Sequence, residues 1–183
     1  MRVVGSMMMA VVVASGTPAS AADWMEYANR DYGFAVNMPG EPTEKATTYI
    51  TASGASVNAR EFLVLDGDGR YSVTVVDFST RESDESGAIA FAAQTLRAKG
   101  EVLYDADLSL DGIPGHQMSV VEKNGRRMMS AIHLYNHRLY ITEGSVAPGN
   151  MTPQQFQQSV GMIHPDGTVV NLVREGRAPR PSR

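Results

Sequence analysis

Cysteine is absent from the 183 residues. That excludes disulfide staples, thiolate metal sites, cysteine nucleophiles and lipid attachment through an N-terminal cysteine. Aromatic residues are scarce at 7%, and no sign of charge dominates, with 16 Lys and Arg against 20 Asp and Glu. The net charge of −4 disfavours general nucleic-acid binding, which rests on a basic surface. Nucleophile signatures are missing too: there is no Gly-x-Ser-x-Gly elbow and no Ser-x-x-Lys motif. What remains is an apolar fraction of 43%, enough for one packed domain and too much for a chain disordered throughout.

The N-terminus reads as a secretory leader spanning residues 1–21. Arg2 supplies the positive start, and Val3 to Ala14 form an apolar run broken only by Gly5 and Ser6. Ala19-Ser20-Ala21 has the small-x-small form that a signal peptidase accepts, which places the cut after Ala21. The run is short of the ~20 residues that cross a bilayer, and no later stretch is long enough either. The expected product is a periplasmic or secreted chain without a transmembrane segment, carrying one domain over 22–173 and a tail over 174–183.

Along that domain the hydrophobic period is mostly two. Strands are expected at 32–38, 45–52, 55–66 and 71–78, and again at 102–110, 116–122, 127–135 and 139–146. Between these groups, Ile89, Ala92, Ala93 and Leu96 recur at helical spacing, with Ser83 or Ser86 as cap and Gly100 as stop. A second helix is expected from Thr152 as cap, with Pro153 in its first turn and Phe156, Val160 and Ile163 on its buried face. The pattern predicts an α+β fold: a mostly antiparallel sheet of six or seven strands, flanked by two main helices. Several strands are apolar on both faces, so covers are expected on both sides of the sheet.

Two tight turns predict a candidate ligand row. If Asn124-Gly125 is a two-residue loop, His116 faces His133; if Asn136-His137 is another, His133 faces Tyr140. Opposed side chains have Cβ atoms about 4.5–5.5 Å apart, within reach of a shared metal ion or anion. Met118 and Met129 beside the row would suit a soft ion such as copper. The plain alternative is packing, and one extra residue in either loop destroys the row. Met118, Met128 and Met129 also suggest an adaptable wall for an apolar ligand. Asp66-Gly67-Asp68-Gly69 resembles the start of a calcium loop, but the later ligand positions fall on Arg70, Tyr71 and Asp77, so a turn is expected.

The tail has an unusual composition. Arg174, Arg177, Arg180 and Arg183 recur every third residue with Pro179 and Pro181 among them. Three residues per turn is the polyproline II repeat, which would line the guanidinium groups along one edge. A solvated, disordered tail is the plain expectation. The functional one is electrostatic attachment to an anionic surface or an acidic partner, weakened by salt.

Asp31-Tyr32-Gly33-Phe34-Ala35-Val36-Asn37-Met38-Pro39, Gly112-Ile113-Pro114-Gly115, Arg138-Leu139-Tyr140 and Phe156-Gln157-Gln158-Ser159-Val160 stand in an order that resembles the PsbP-like superfamily. That superfamily includes extrinsic photosystem II subunits, a eukaryotic Ran-GTPase binder and many small exported bacterial proteins. The resemblance implies an antiparallel sheet between helices and no shared active site. In most members the resemblance implies binding or assembly rather than catalysis; with the leader, the expected role is an exported non-catalytic binding or assembly module of the cell envelope, with no cofactor. A metal-assisted enzyme or metal-binding protein using the His116/His133 row, and an apolar-ligand carrier, are the alternatives.

Overall fold

The computed structural model describes residues 24–176. The leader with its cut after Ala21, and Arg177, Arg180 and Arg183, lie outside the described residues.

A short hairpin opens the fold, β1 (Met25–Asn29) and β2 (Phe34–Met38), followed by β3 (Thr43–Ile50), β4 (Ser56–Asp66) and β5 (Gly69–Asp77). Helix α1 (Ala88–Arg97) precedes β6 (Gly100–Leu110), β7 (Ile113–Glu122), β8 (Arg127–Tyr135) and β9 (Arg138–Val146). The chain ends with α2 (Thr152–Gln158), β10 (Gly161–Met162) and α3 (Leu172–Glu175). Seven strands form one antiparallel sheet in the order β3-β4-β5-β9-β8-β7-β6, and β1-β2-β10 form a second, smaller sheet. The α+β class and the seven-stranded sheet between two main helices agree with the alternation in the sequence.

Both faces of the large sheet are apolar, and each has its own cover. On one face α1 lays Ala88, Ala92, Ala93 and Leu96 against Val76, Met118, Ile132 and Leu139. The opposite face meets the small sheet and α2, where Phe34 and Phe62 approach edge to face at 5.1 Å and Tyr71 and Phe156 at 5.5 Å. The second cover is thus a sheet with a helix rather than a helix alone, because β1 and β10 pair onto the two sides of β2. Gly144 on β9 lets α2 come close: a Cβ there would lie 3.2 Å from Phe156 Cδ1 and from the Pro153 backbone.

Local details depart from the expected caps. Gly87, in the left-handed region at φ 80°, takes the cap of α1 in place of Ser83 or Ser86. Met151 takes the cap of α2, and Thr152 is its first residue, with its hydroxyl shared between Asn150 and Tyr71. That helix ends at Gln158; Val160 and Ile163 are buried beyond it.

The turn Asp31–Gly33 is latched to the large sheet. Tyr140 Oη donates to the Tyr32 carbonyl at 2.9 Å, and Arg138 Nη1 donates to the Asp31 carbonyl at 2.8 Å. From α2's end, Ser159 Oγ accepts the Asn37 amide at 2.9 Å. Three separated segments, 31–39, 138–140 and 156–160, therefore work together to hold the second layer on. Phe156 is wholly buried in that layer. Phe156→Ala is expected to cost about 3–5 kcal/mol, read as a lower urea midpoint, while Gln155→Ala on the exposed side of α2 leaves the midpoint within error.

Candidate functional site

The expected histidine row fails by one residue. Glu122 donates its amide to the Arg126 carbonyl, and Gly125, at φ 83°, donates to the Glu122 carbonyl. The β7–β8 loop therefore holds Lys123, Asn124 and Gly125, a three-residue turn closed by a left-handed glycine. Asn-Gly serves this turn as well as the two-residue one, which is why the sequence misleads. With the extra residue, His116 faces Ile132 and His133 faces Gly115. Because side chains alternate with period two, His116 and His133 project from opposite faces of the sheet. The other loop forms as expected: Asn136 and His137 both have positive φ, at 47° and 59°, and His133 faces Tyr140.

His116 lies on the α1 face, where β6 and α1 surround it with charge. Its Nδ1 is 3.0 Å from Asp107 Oδ1, and its Nε2 is bonded to Asp105. Asp105 also binds Arg97 of α1, with Nη2 2.9 Å from Oδ1. The Arg97 hydrogen bond is the largest influence on Asp105 and outweighs burial; with the His116 bond it holds the carboxyl down to about 2. This cluster forms one end of a cleft of about 360 Å³ floored by Ile89, Ala93 and Leu134. At the other end Glu85 accepts from His137 Nδ1 at 2.6 Å and raises that imidazole's pKa. The two nitrogens of His116 point to two different carboxylates, so they do not converge on one ion. Among the described residues no three His, Asp or Glu side chains are grouped to hold a metal.

His133 is in the opposite situation. It is 1% exposed, and neither ring nitrogen has a hydrogen-bond partner. Gly115 makes room for it, since a Cβ there would sit 2.5 Å from His133 Nδ1. Burial lowers its pKa to about 4, so the ring is neutral at pH 7. Its neighbour Tyr140 is pushed up to about 12 by burial and already donates to a backbone carbonyl. His133 and Tyr140 are therefore core residues of the latch and form no ligand set with His116. The methionine wall divides in the same way: Met118 and Met128 pack under α1, and Met129 lies on the other face.

A second cleft, also about 360 Å³, opens beside the latch on the face away from α1. Tyr32, Asn58, Arg60, Val75, Asp77 and Arg138 line it. The Arg138 guanidinium sits over the Tyr32 ring, 5.6 Å from its centroid. Burial would raise the pKa of Asp77, but hydrogen bonds from Ser79 and the charges of Arg138 and His137 hold it below the usual carboxylate value. Nothing local signalled this cleft, since it joins β3, β4, β5, β9 and the Asp31–Gly33 turn.

Arg174 lies in α3, where its amide donates to Asn171 Oδ1 at 2.9 Å, so the extended segment expected from 174 is helical at its start. The α3 turn rests on the β6–β7 loop, and Asn171 Nδ2 donates to Asp111 at 3.0 Å.

No protein-family model matches the chain, and no curated protein matches it. Among solved structures the chain is similar to cyanobacterial PsbP (CyanoP) from Synechocystis sp. PCC 6803, at 13% identity and a TM-score of 0.49, covering 82% of this chain and 98% of that one. It is also similar to PA94, a Pseudomonas aeruginosa protein of unknown function, at 10% identity and a TM-score of 0.36, covering 87% and 99%.

The buried imidazole makes a pH prediction. The unfolded chain takes up a proton at His133 near pH 6.5, and the folded chain only near 4. Stability from this residue is therefore complete above 6.5 and falls as pH drops towards 4, by on the order of 3 kcal/mol. Asp105 acts lower, its contribution being lost from about 3.8 down to 2. Urea midpoints measured against pH should show both limbs, and His133→Leu should remove the upper one alone.

Proposed function

We propose that the chain is an exported, non-catalytic binding or assembly module of the cell envelope, a small bacterial member of the PsbP-like superfamily. The observation that carries this reading is the outer edge of β6. On that edge strand Val102, Leu103 and Tyr104 are 37%, 51% and 51% exposed, side by side at a bulge in the pairing with β7. Both edge strands carry charge, Glu44 and Lys45 on β3 and Glu101, Asp105 and Asp107 on β6, but the run of three adjacent exposed apolar residues is on β6. An open edge with apolar side chains accepts an extended segment of a partner through backbone hydrogen bonds and side-chain contacts.

The leader, Arg2 with Val3 to Ala14 and Ala19 to Ala21, supports the envelope address. Segments 31–39 and 138–140 support the superfamily reading, because their residues build the latch between the layers. The arginines at 174, 177, 180 and 183 supply a second, electrostatic attachment to an anionic surface or acidic partner.

Two measurements test this. The mass of the exported chain should correspond to a start at Ala22. Leu103→Lys with Tyr104→Lys should reduce capture of an envelope partner at least tenfold without lowering Tm. Undiminished capture by the double variant would refute the edge as the binding surface.

A further inference from the structure

We infer that the cleft beside the latch binds a carboxylate, carried either by a small organic acid or by the C-terminus of a peptide. The inference is independent of the β6 edge. Arg138 is the first observation. Its guanidinium is held in place by Tyr32 below and by one hydrogen bond to the Asp31 carbonyl. Among the described residues no ion pair joins it to a carboxylate. A fixed arginine with unused donors is pre-organised for bidentate recognition of a planar oxyanion.

Arg60 is the second. It projects into the same cleft from β4, and its partner Glu44 sits 3.2 Å away, with both side chains 41% exposed. An ion pair that open to water is weak, so an incoming carboxylate can replace Glu44 on Arg60. Asn58, two residues before Arg60 on the same side of β4, adds an amide donor.

Charge sets the class of ligand. Two guanidinium groups stand against one carboxylate inside the cleft, Asp77, whose Oδ1 already accepts the Ser79 amide at 2.8 Å. With Glu44 on Arg60 the charges balance; once an incoming carboxylate takes the place of Glu44, one positive charge is left over, which suits a monoanion. Val75 and Ala46 give the floor an apolar part for a methyl or short alkyl group, and about 360 Å³ holds a ligand of that size.

The test is an NMR titration of the ¹⁵N-labelled chain with N-acetyl-alanine, with propionate, and with N-acetyl-alanine amide as the uncharged control. Saturable shifts at the Thr47, Asn58 and Asp77 amides are expected with a carboxylate and not with the amide. Binding of N-acetyl-alanine alone identifies a peptide C-terminus, and binding of propionate identifies a small acid. Arg60→Gln should weaken binding about tenfold. Glu44→Gln should tighten it several-fold, because the competing carboxylate is gone, and a merely structural role for Arg60 would not produce that gain. No saturable shift with either acid, equal shifts with the amide, or unchanged binding by Arg60→Gln would overturn the assignment.

Discussion

The central strands of the large sheet are apolar on both sides, and this constraint organises the rest of the molecule. On β5, Val73 and Val75 face one way and Val76 the other; on β9, Tyr140 and Ile141 divide likewise. Burying one face leaves the other in water, so two covers are needed. Helix α1 supplies the first with a stripe of alanines and Leu96, small enough to lie close to the strands. The second is assembled from pieces distant in sequence, a β1–β2 hairpin, α2 and the two residues of β10, and it stays in place through the hydrogen bonds from Arg138 and Tyr140. Each of the two described clefts is lined by residues of a cover together with strand residues, α1 in one and Tyr32 in the other.

Within that frame a single residue in the β7–β8 turn decides the chemistry. A two-residue loop would have aligned two imidazoles; the three-residue loop gives His116 to a charged cluster and His133 to the core. His116 is saturated by Asp105 and Asp107, and Asp105 is anchored again by Arg97. Such a closed set ties β6, β7 and α1 together. The buried His133 has no partner and is neutral, a local cost that Gly115 accommodates sterically.

The layers were legible from the sequence wherever period and turn chemistry agreed. The run 127–135 alternates cleanly between two turns and forms β8 over the same residues. The spacing of Ala92, Ala93 and Leu96 marked α1's buried face, and Asn136-His137 set the β8–β9 register. The Asn124-Gly125 turn was ambiguous because both loop types need a left-handed residue there. Strands β1 and β10 carried no readable pattern: Met25–Asn29 is mostly exposed, and Gly161–Met162 exists only through its pairing with β2. The cleft of Arg60 and Arg138 was invisible for the same reason, since its members meet through sheet order and not through spacing.

Residue-resolved amide hydrogen exchange tests the two-cover, open-edge arrangement most directly. The account predicts that amides of β5, β8 and β9 exchange only through global unfolding, while along β6 the amides that point away from β7 exchange rapidly and those paired to β7 slowly. Rapid exchange in β9, or equal protection of both sets along β6, would contradict it.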